Sequence, residues 1–366
     1  MSLMIQHTEF VDTLCREQIQ ALKAIERFQR RFFPPDLDAL RKAFLPKTDA
    51  FNKARANTPE EEAPHEIKAA LHHLDTSAGL IHDALEMIHT APSQDLQQTV
   101  IRVMKALRKI CRAQEHLFSC RNVSKAIDAF FRESRALVVT EPRKGEYTKH
   151  PSTGLRHIGI EKDAYARGAL SLYIPEHCPL DSSWPLVVAL HGGFGHGRDF
   201  IWTWLRESRG YGFLLLAPTS QKQTWNLLQP EVDIDFLNDA VGRVQKEWRV
   251  DKKQILLTGV SDGGTFTLIN ALQQKTPFTA FAPIACALPP NDFKPAQNRK
   301  IYWIHGALDW MFPIQTARQG YNLLKTAGAD VSLHLVDDLS HTYPRELNHR
   351  ILKWFAPDEM MPILHV

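Results

Sequence analysis

A serine stands among glycines at Gly259-Val260-Ser261-Asp262-Gly263-Gly264, after the apolar run Ile255-Leu256-Leu257 and before Thr265-Phe266-Thr267-Leu268-Ile269-Asn270. The pattern predicts a nucleophile on a sharp strand-to-helix turn. At such a turn the serine backbone is driven toward positive φ, and side chains two residues away on either side would collide. Glycine at 259 and 263 removes that collision and lifts the Ser261 hydroxyl out at the end of a sheet. G-x-S-x-G alone is a common string; the strand-like and helix-like flanks give it weight. The chemistry it suits is attack on a carbonyl carbon, which needs a base and an acid that orients the base.

Both occur downstream. Ile301-Tyr302-Trp303-Ile304 runs into His305-Gly306-Ala307-Leu308-Asp309, which puts Asp309 on the turn after a strand. Val331 to Val336 alternates as a strand should and leads through Asp337-Asp338-Leu339-Ser340 to His341. Asp337 and Asp338 lie nearer His341 in sequence and are rival acids, but the chain order nucleophile, acid, base favours Asp309. His191, His196 and His305 are rival bases. His191 sits in a glycine turn and His305 precedes the acid loop, so both read as structural hydrogen-bonders. His341 is the expected base.

The developing oxyanion needs backbone N–H donors. One is expected from Asp262, which follows the nucleophile and opens a helix. The other is expected from the glycine loop His191-Gly192-Gly193-Phe194-Gly195 after the strand Pro185 to Leu190, with Gly193 first and Phe194 beside it. That loop lacks G-K-[ST] and so is not read as a phosphate cradle. Phe194, Trp225, Trp310 and Tyr343 fall on loops at the same end and could wall an acyl or aryl pocket. The Asp262 side chain adds a negative charge that disfavours anionic acyl groups. Between Ser261 and Asp309 there is room for one helix and one strand, and none for an inserted cap.

The residues from about 150 onward resemble the serine-esterase branch of the α/β-hydrolase superfamily. They are similar to phospholipase/carboxylesterase and to polyhydroxybutyrate depolymerase or feruloyl-esterase-like proteins. The resemblance rests on Leu190-His191-Gly192-Gly193, Asp233-Ile234-Asp235-Phe236, the elbow at 259–264, His305-Gly306 with Asp309 and Pro313, and His341 with Pro344. It implies hydrolysis of a carboxylic ester or thioester with no metal and no organic cofactor, and it names no substrate.

At 366 residues the chain is longer than one core usually organises, so two domains are expected. Hydrophobic residues at 44% and charged ones at 23% suit a globular protein, and a net charge of +3 is too small to argue for nucleic acid. No apolar run reaches the ~18 residues of a membrane span. The five cysteines are scattered and lack C-x-x-C spacing, which fits reduced thiols in a cytoplasmic setting.

Residues 1–140 read as an α-helical bundle. Ile67, Leu71, Leu74, Ala78, Ile81, Leu85 and Ile88 fall four and three apart, and Val100, Met104, Leu107 and Cys111 repeat the pattern after a break at Ala91-Pro92-Ser93. Val11, Leu14, Leu22, Ile25 and Phe32 mark an earlier helix closed by Pro34-Pro35, and Ala126, Phe130 and Phe131 a last short one. His65, His72, His73, His82 and His89 lack the spacing of a metal site. The bundle is read as a packing, dimerising or lid element, and a homodimer through it is the protein partner left open.

A polar, proline-bearing linker is expected at 141–152, and residues 153–366 as the catalytic domain. There, strands at Arg156–Ile160 and Ala169–Ile174 should form an antiparallel edge hairpin, followed by alternating strands and helices with a mostly parallel sheet. The fold class is therefore α/β, an α/β-hydrolase sheet flanked by helices and preceded by an all-α bundle. The expected activity is hydrolysis of a small-molecule ester. A serine peptidase of the prolyl-oligopeptidase type and a non-catalytic interaction protein are the alternatives.

Overall fold

A computed structural model describes residues 2–56, 65–133, 153–159, 163, 165–176 and 182–356, with the side chains of 2–8 and 65–67 left aside. The chain divides into two compact units, Met1–Arg132 and Glu133–Val366. The linker expected at 141–152 lies outside the described residues.

The described residues of the first unit form helices: α1 (Ser2–Arg30), α2 (Leu37–Phe44), α3 (Asp49–Ala56), α4 (His65–His89), α5 (Leu96–Ser119) and α6 (Lys125–Phe130). Helix α4 packs along α5, and α1 packs on α3, α4 and α6. The expected seam of α4 is the one buried, with Leu74, Ala78, Ile81, Leu85 and Ile88 in the core. On α5 the buried face differs from the expected one. It is formed by Val103, Ala106, Ile110, Ala113 and Leu117, while Met104 is exposed. Helix α5 carries two apolar stripes, and the one with Ala106 and Ala113 lets a neighbouring backbone approach closely. Asp95 caps α5 by accepting from the Gln98 amide at 3.0 Å.

The second unit is built on one eight-stranded sheet. Its strands are β1 (Gly154–Ile158), β2 (Leu170–Ile174), β3 (Trp184–Leu190), β4 (Leu214–Pro218), β5 (Val250–Val260), β6 (Ala280–Ile284), β7 (Lys300–Gly306) and β8 (Asp330–Val336). They lie in the order β1-β2-β4-β3-β5-β6-β7-β8. The β1–β2 and β2–β4 pairings are antiparallel and the others parallel, so the expected hairpin does sit at one edge. The intervening helices are α7 (Gly197–Phe200), α8 (Leu205–Tyr211), α9 (Glu231–Glu247), α10 (Asp262–Ala271), α11 (Ile314–Thr326) and α12 (Asn348–Phe355).

Strands β3, β4 and β6 are buried almost throughout, as continuous apolar runs in a doubly covered parallel sheet should be. Helices cover the sheet with Leu237, Val241 and Val244 of α9 and Phe266, Leu268 and Ile269 of α10. Parallel pairing of β3, β5, β6, β7 and β8 gives these strands a common carboxyl end, where α/β sheets gather their ligand chemistry.

Candidate active site

Ser261 occupies the step from β5 into α10, with φ 56° and ψ −123°. Its amide donates to the Ile284 carbonyl of β6 at 3.0 Å, and its carbonyl accepts from the Thr265 amide at 2.8 Å. The neighbouring glycines are required by contact. A Cβ on Gly259 would lie 2.5 Å from the Gly263 carbonyl oxygen, and one on Gly263 would lie 2.4 Å from that of His191. Both obstacles are backbone, so neither can move aside cheaply. The strained serine is thus held by two glycines and the end of β3.

Asp309 follows β7, with its carboxylate fully buried. The amides of Met311 and Phe312 donate to its Oδ1 at 2.9 and 2.8 Å. His341 lies on the loop after β8. Its Nδ1 is 3.0 Å from Asp309 Oδ1 and 2.9 Å from Oδ2, and its Nε2 is 3.1 Å from Ser261 Oγ. The ring is also flanked edge-on by Trp310 and Phe312, with centroids 5.8 and 5.5 Å away. Serine, histidine and aspartate therefore form one continuous chain of hydrogen bonds. Burial alone would raise the Asp309 carboxyl. The hydrogen bond and charge of His341, with the Phe312 amide and His305, outweigh it and hold the group below the ordinary carboxylate range.

The rivals lie elsewhere. Asp337 is exposed, and among the described residues the carboxylate that meets His341 Nδ1 is that of Asp309. His191 Nε2 accepts from the Ser220 amide at 3.0 Å, which leaves Nδ1 to donate to the Gly192 carbonyl at 2.6 Å. Both nitrogens of that ring are thereby engaged in holding the glycine loop.

His305 is buried and donates from Nε2 to the Phe312 carbonyl at 2.8 Å. Burial lowers its pKa, although that carbonyl and Asp309 oppose the shift. In the unfolded chain it takes a proton near about pH 6.5, and in the folded chain only at lower pH. Its contribution to stability is intact above that value and is lost as pH falls toward the folded pKa. Thermal melts between pH 7 and 5 should therefore fall less steeply for His305→Gln than for the parent. An unchanged slope would contradict a disfavoured imidazolium at this site.

Gly193 stands beside the nucleophile's helix: a Cβ there would lie 2.9 Å from Asp262 Oδ2. Among the described residues no acceptor takes the Gly193 or Asp262 amide, whereas the Phe194 amide is committed to the Gln223 carbonyl at 2.9 Å. The Asp262 carboxylate accepts from Thr224 Oγ1 at 2.6 Å.

Of the four aromatic side chains expected to wall a pocket, two face inward. Trp225 is 1% exposed, stacks on Phe266 and donates from Nε1 to the His191 carbonyl at 2.9 Å. Burial of its large ring against α10 outweighs display on the loop. Tyr343 lays its ring edge-on against Phe200 and Trp204 and donates its hydroxyl to Asn348 Oδ1 at 2.7 Å. Phe194 is 63% exposed with φ 58°, and Trp310 is half-buried against His341. Sequence reasoning missed a wider pattern at this end. Phe194, Leu228, Val232, Leu308 and Met311 are exposed large apolar residues, and all five follow the carboxyl ends of β3, β4 or β7.

A mostly parallel eight-stranded sheet, a serine at a positive-φ elbow after β5, an acid after β7 and a histidine after β8 give the second unit the architecture of the α/β-hydrolase fold. Residues 230–355, which carry Ser261, Asp309 and His341, match the phospholipase/carboxylesterase family model. The bifunctional acetylxylan esterase/xylanase XynS20E of Neocallimastix patriciarum is 26% identical over 148 residues, 38% of this chain. The matched stretch spans 21% of that relative's length. Among solved structures, esterase PE8 aligns over 52% of this chain and 98% of its own, with 21% identity and a TM-score of 0.43. The native thermophilic esterase Est2 of Thermogutta terrifontis aligns over 57% and 95%, with 16% identity and a TM-score of 0.45. Among the described residues no helix is long and apolar enough to cross a membrane, and no three His, Cys, Asp or Glu side chains are grouped as a metal site.

Proposed function

We propose that the chain hydrolyses carboxylic esters of small molecules through an acyl-enzyme on Ser261. The observation that carries this reading is the hydrogen-bonded line Ser261 Oγ, His341, Asp309, with heavy-atom separations of 3.1 and 2.9 Å. His341 Nε2 takes the serine proton as Oγ attacks the carbonyl carbon. Asp309 keeps the other proton on Nδ1 and stabilises the imidazolium that forms. The amides of Gly193 and Asp262 hold the oxyanion, since Asp262 follows the nucleophile, Gly193 stands against the Asp262 side chain, and neither amide is committed elsewhere among the described residues. The imidazolium then protonates the departing alkoxide. Water, deprotonated by His341, attacks the acyl carbon; the Oγ–C bond then breaks, the imidazolium returns its proton to Ser261 Oγ, and the acid leaves.

The exposed apolar side chains around this end favour an uncharged, apolar acyl group, and the Asp262 carboxylate disfavours an anionic one. A cytoplasmic setting is consistent with Cys15, Cys120 and Cys286 being free thiols. The relative's acetylxylan esterase label makes acetyl the natural comparison. Across p-nitrophenyl esters from acetate to octanoate, kcat/KM should rise with chain length, by at most about fourfold per buried methylene. A maximum at acetate would remove the apolar rim from the account. Labelling of Ser261 by a fluorophosphonate probe tests the hydrolase reading itself.

A further inference from the structure

The loop that carries His341 is tied down at both ends, and its downstream ties share one short stretch of chain. Upstream, the Leu308 amide donates to the Leu339 carbonyl at 3.0 Å, and Gly306 leaves no room for a Cβ against that same carbonyl. Downstream, Tyr343 packs against Phe200 and Trp204. Asn348, fully buried, donates from Nδ2 to the Thr203 carbonyl at 2.7 Å. Arg345 Nη1 donates to Glu207 Oε1 at 3.0 Å, with the Glu207 side chain 1% exposed, and lies 4.0 Å from Glu133 Oε2. Phe200, Thr203, Trp204 and Glu207 belong to the segment running from the end of α7 into α8.

A buried carboxylate paired with a partly exposed guanidinium is a costly way to hold two elements together. Apolar side chains of similar volume are often as stabilising or more so. What the pair adds is direction, because a charged hydrogen bond fixes its partners in angle as well as distance. Arg345 stands four residues beyond His341, whose ring must meet Asp309 and Ser261 at once. Burial pushes the Glu207 carboxyl above its ordinary range, and the Arg345 guanidinium opposes that shift.

Resting on the esterase reading, we propose that Arg345 and Glu207 are positioning residues. They fix the backbone of the His341 loop so that Nε2 stays within reach of Ser261 Oγ, and neither touches the substrate. Their loss should act on the chemical step and leave substrate binding nearly unchanged.

The test uses the full chain and its Arg345→Met, Arg345→Lys and Glu207→Leu/Arg345→Met variants. For each, kcat and KM on p-nitrophenyl butyrate, the rate of fluorophosphonate labelling of Ser261, and the melting temperature are measured. Arg345→Met should lower kcat and the labelling rate together, by on the order of 10–10²-fold, as expected when a reacting group is displaced by a fraction of an ångström to one ångström. KM should stay within about twofold of the parent. Arg345→Lys should recover part of the loss. The double variant removes the uncompensated charge, so its melting temperature should return toward the parent while kcat stays low. Should Arg345→Met be too unstable to assay, the double variant carries the test. A folded single or double variant with parental kcat would overturn the positioning role. A parent chain that neither turns over esters nor labels at Ser261 would overturn the esterase reading, and the anchor's role with it.

Discussion

Replacing Ser261 by alanine is expected to leave the fold intact and to lower ester turnover by about 10⁴-fold or more, because members of such a relay act as a unit. The fold should survive because, among the described residues, the hydroxyl hydrogen-bonds only to His341 Nε2, while the ties that hold the elbow run through the backbone. Alanine keeps the Cβ, so the backbone at φ 56° gains no new contact. Turnover of p-nitrophenyl acetate and a thermal melt on the same preparation measure the two effects separately. A variant that keeps most of its activity would place the nucleophile elsewhere.

Asp309→Asn is expected to be nearly as damaging, by roughly 10⁴-fold if it behaves as the serine-protease case does. The cause lies in the tautomer. Asp309 Oδ1 accepts from the Met311 and Phe312 amides, so the asparagine oxygen belongs there. That leaves the amide nitrogen where Oδ2 was, 2.9 Å from His341 Nδ1. The ring must then accept at Nδ1 and carry its proton on Nε2, where it can no longer take one from serine. Asp337→Asn and Asp338→Asn leave this contact untouched and should cost far less. If Asp338→Asn were the worst of the three in kcat/KM, the orienting acid would lie on the histidine loop.

The elbow was legible in the sequence because its constraint is local. Gly259 and Gly263 are needed for contacts made within the turn and to the adjacent strand, and no other residue relieves them. Asp309 was legible through order, since strand-end turns of a parallel sheet share one end. The facing of Trp225 was not legible. It depends on a carbonyl 34 residues away and on Phe266 of α10, neither of which a loop sequence specifies. Helices α2 and α3 were missed because eight residues each give barely two turns of periodicity. The buried face of α5 was misread because two stripes compete, and only α4 decides between them. Glu207 was invisible for a different reason: a glutamate is read as surface unless its partner is known, and Arg345 lies 138 residues on.

Strand β8 lies at the outer edge of the sheet, and the histidine beyond it follows the nucleophile by 80 residues. A ribosome releases the chain from its amino end, so Ser261 and then Asp309 emerge while the last strand is still unmade. At ~5–20 residues per second, roughly 4–16 s separate the birth of the serine from that of its base. Throughout that interval the nascent polypeptide holds an unactivated alcohol. On the proposed esterase mechanism, esters in the surrounding medium become vulnerable only once β8 has paired with β7 and the loop behind it has brought His341 to Ser261.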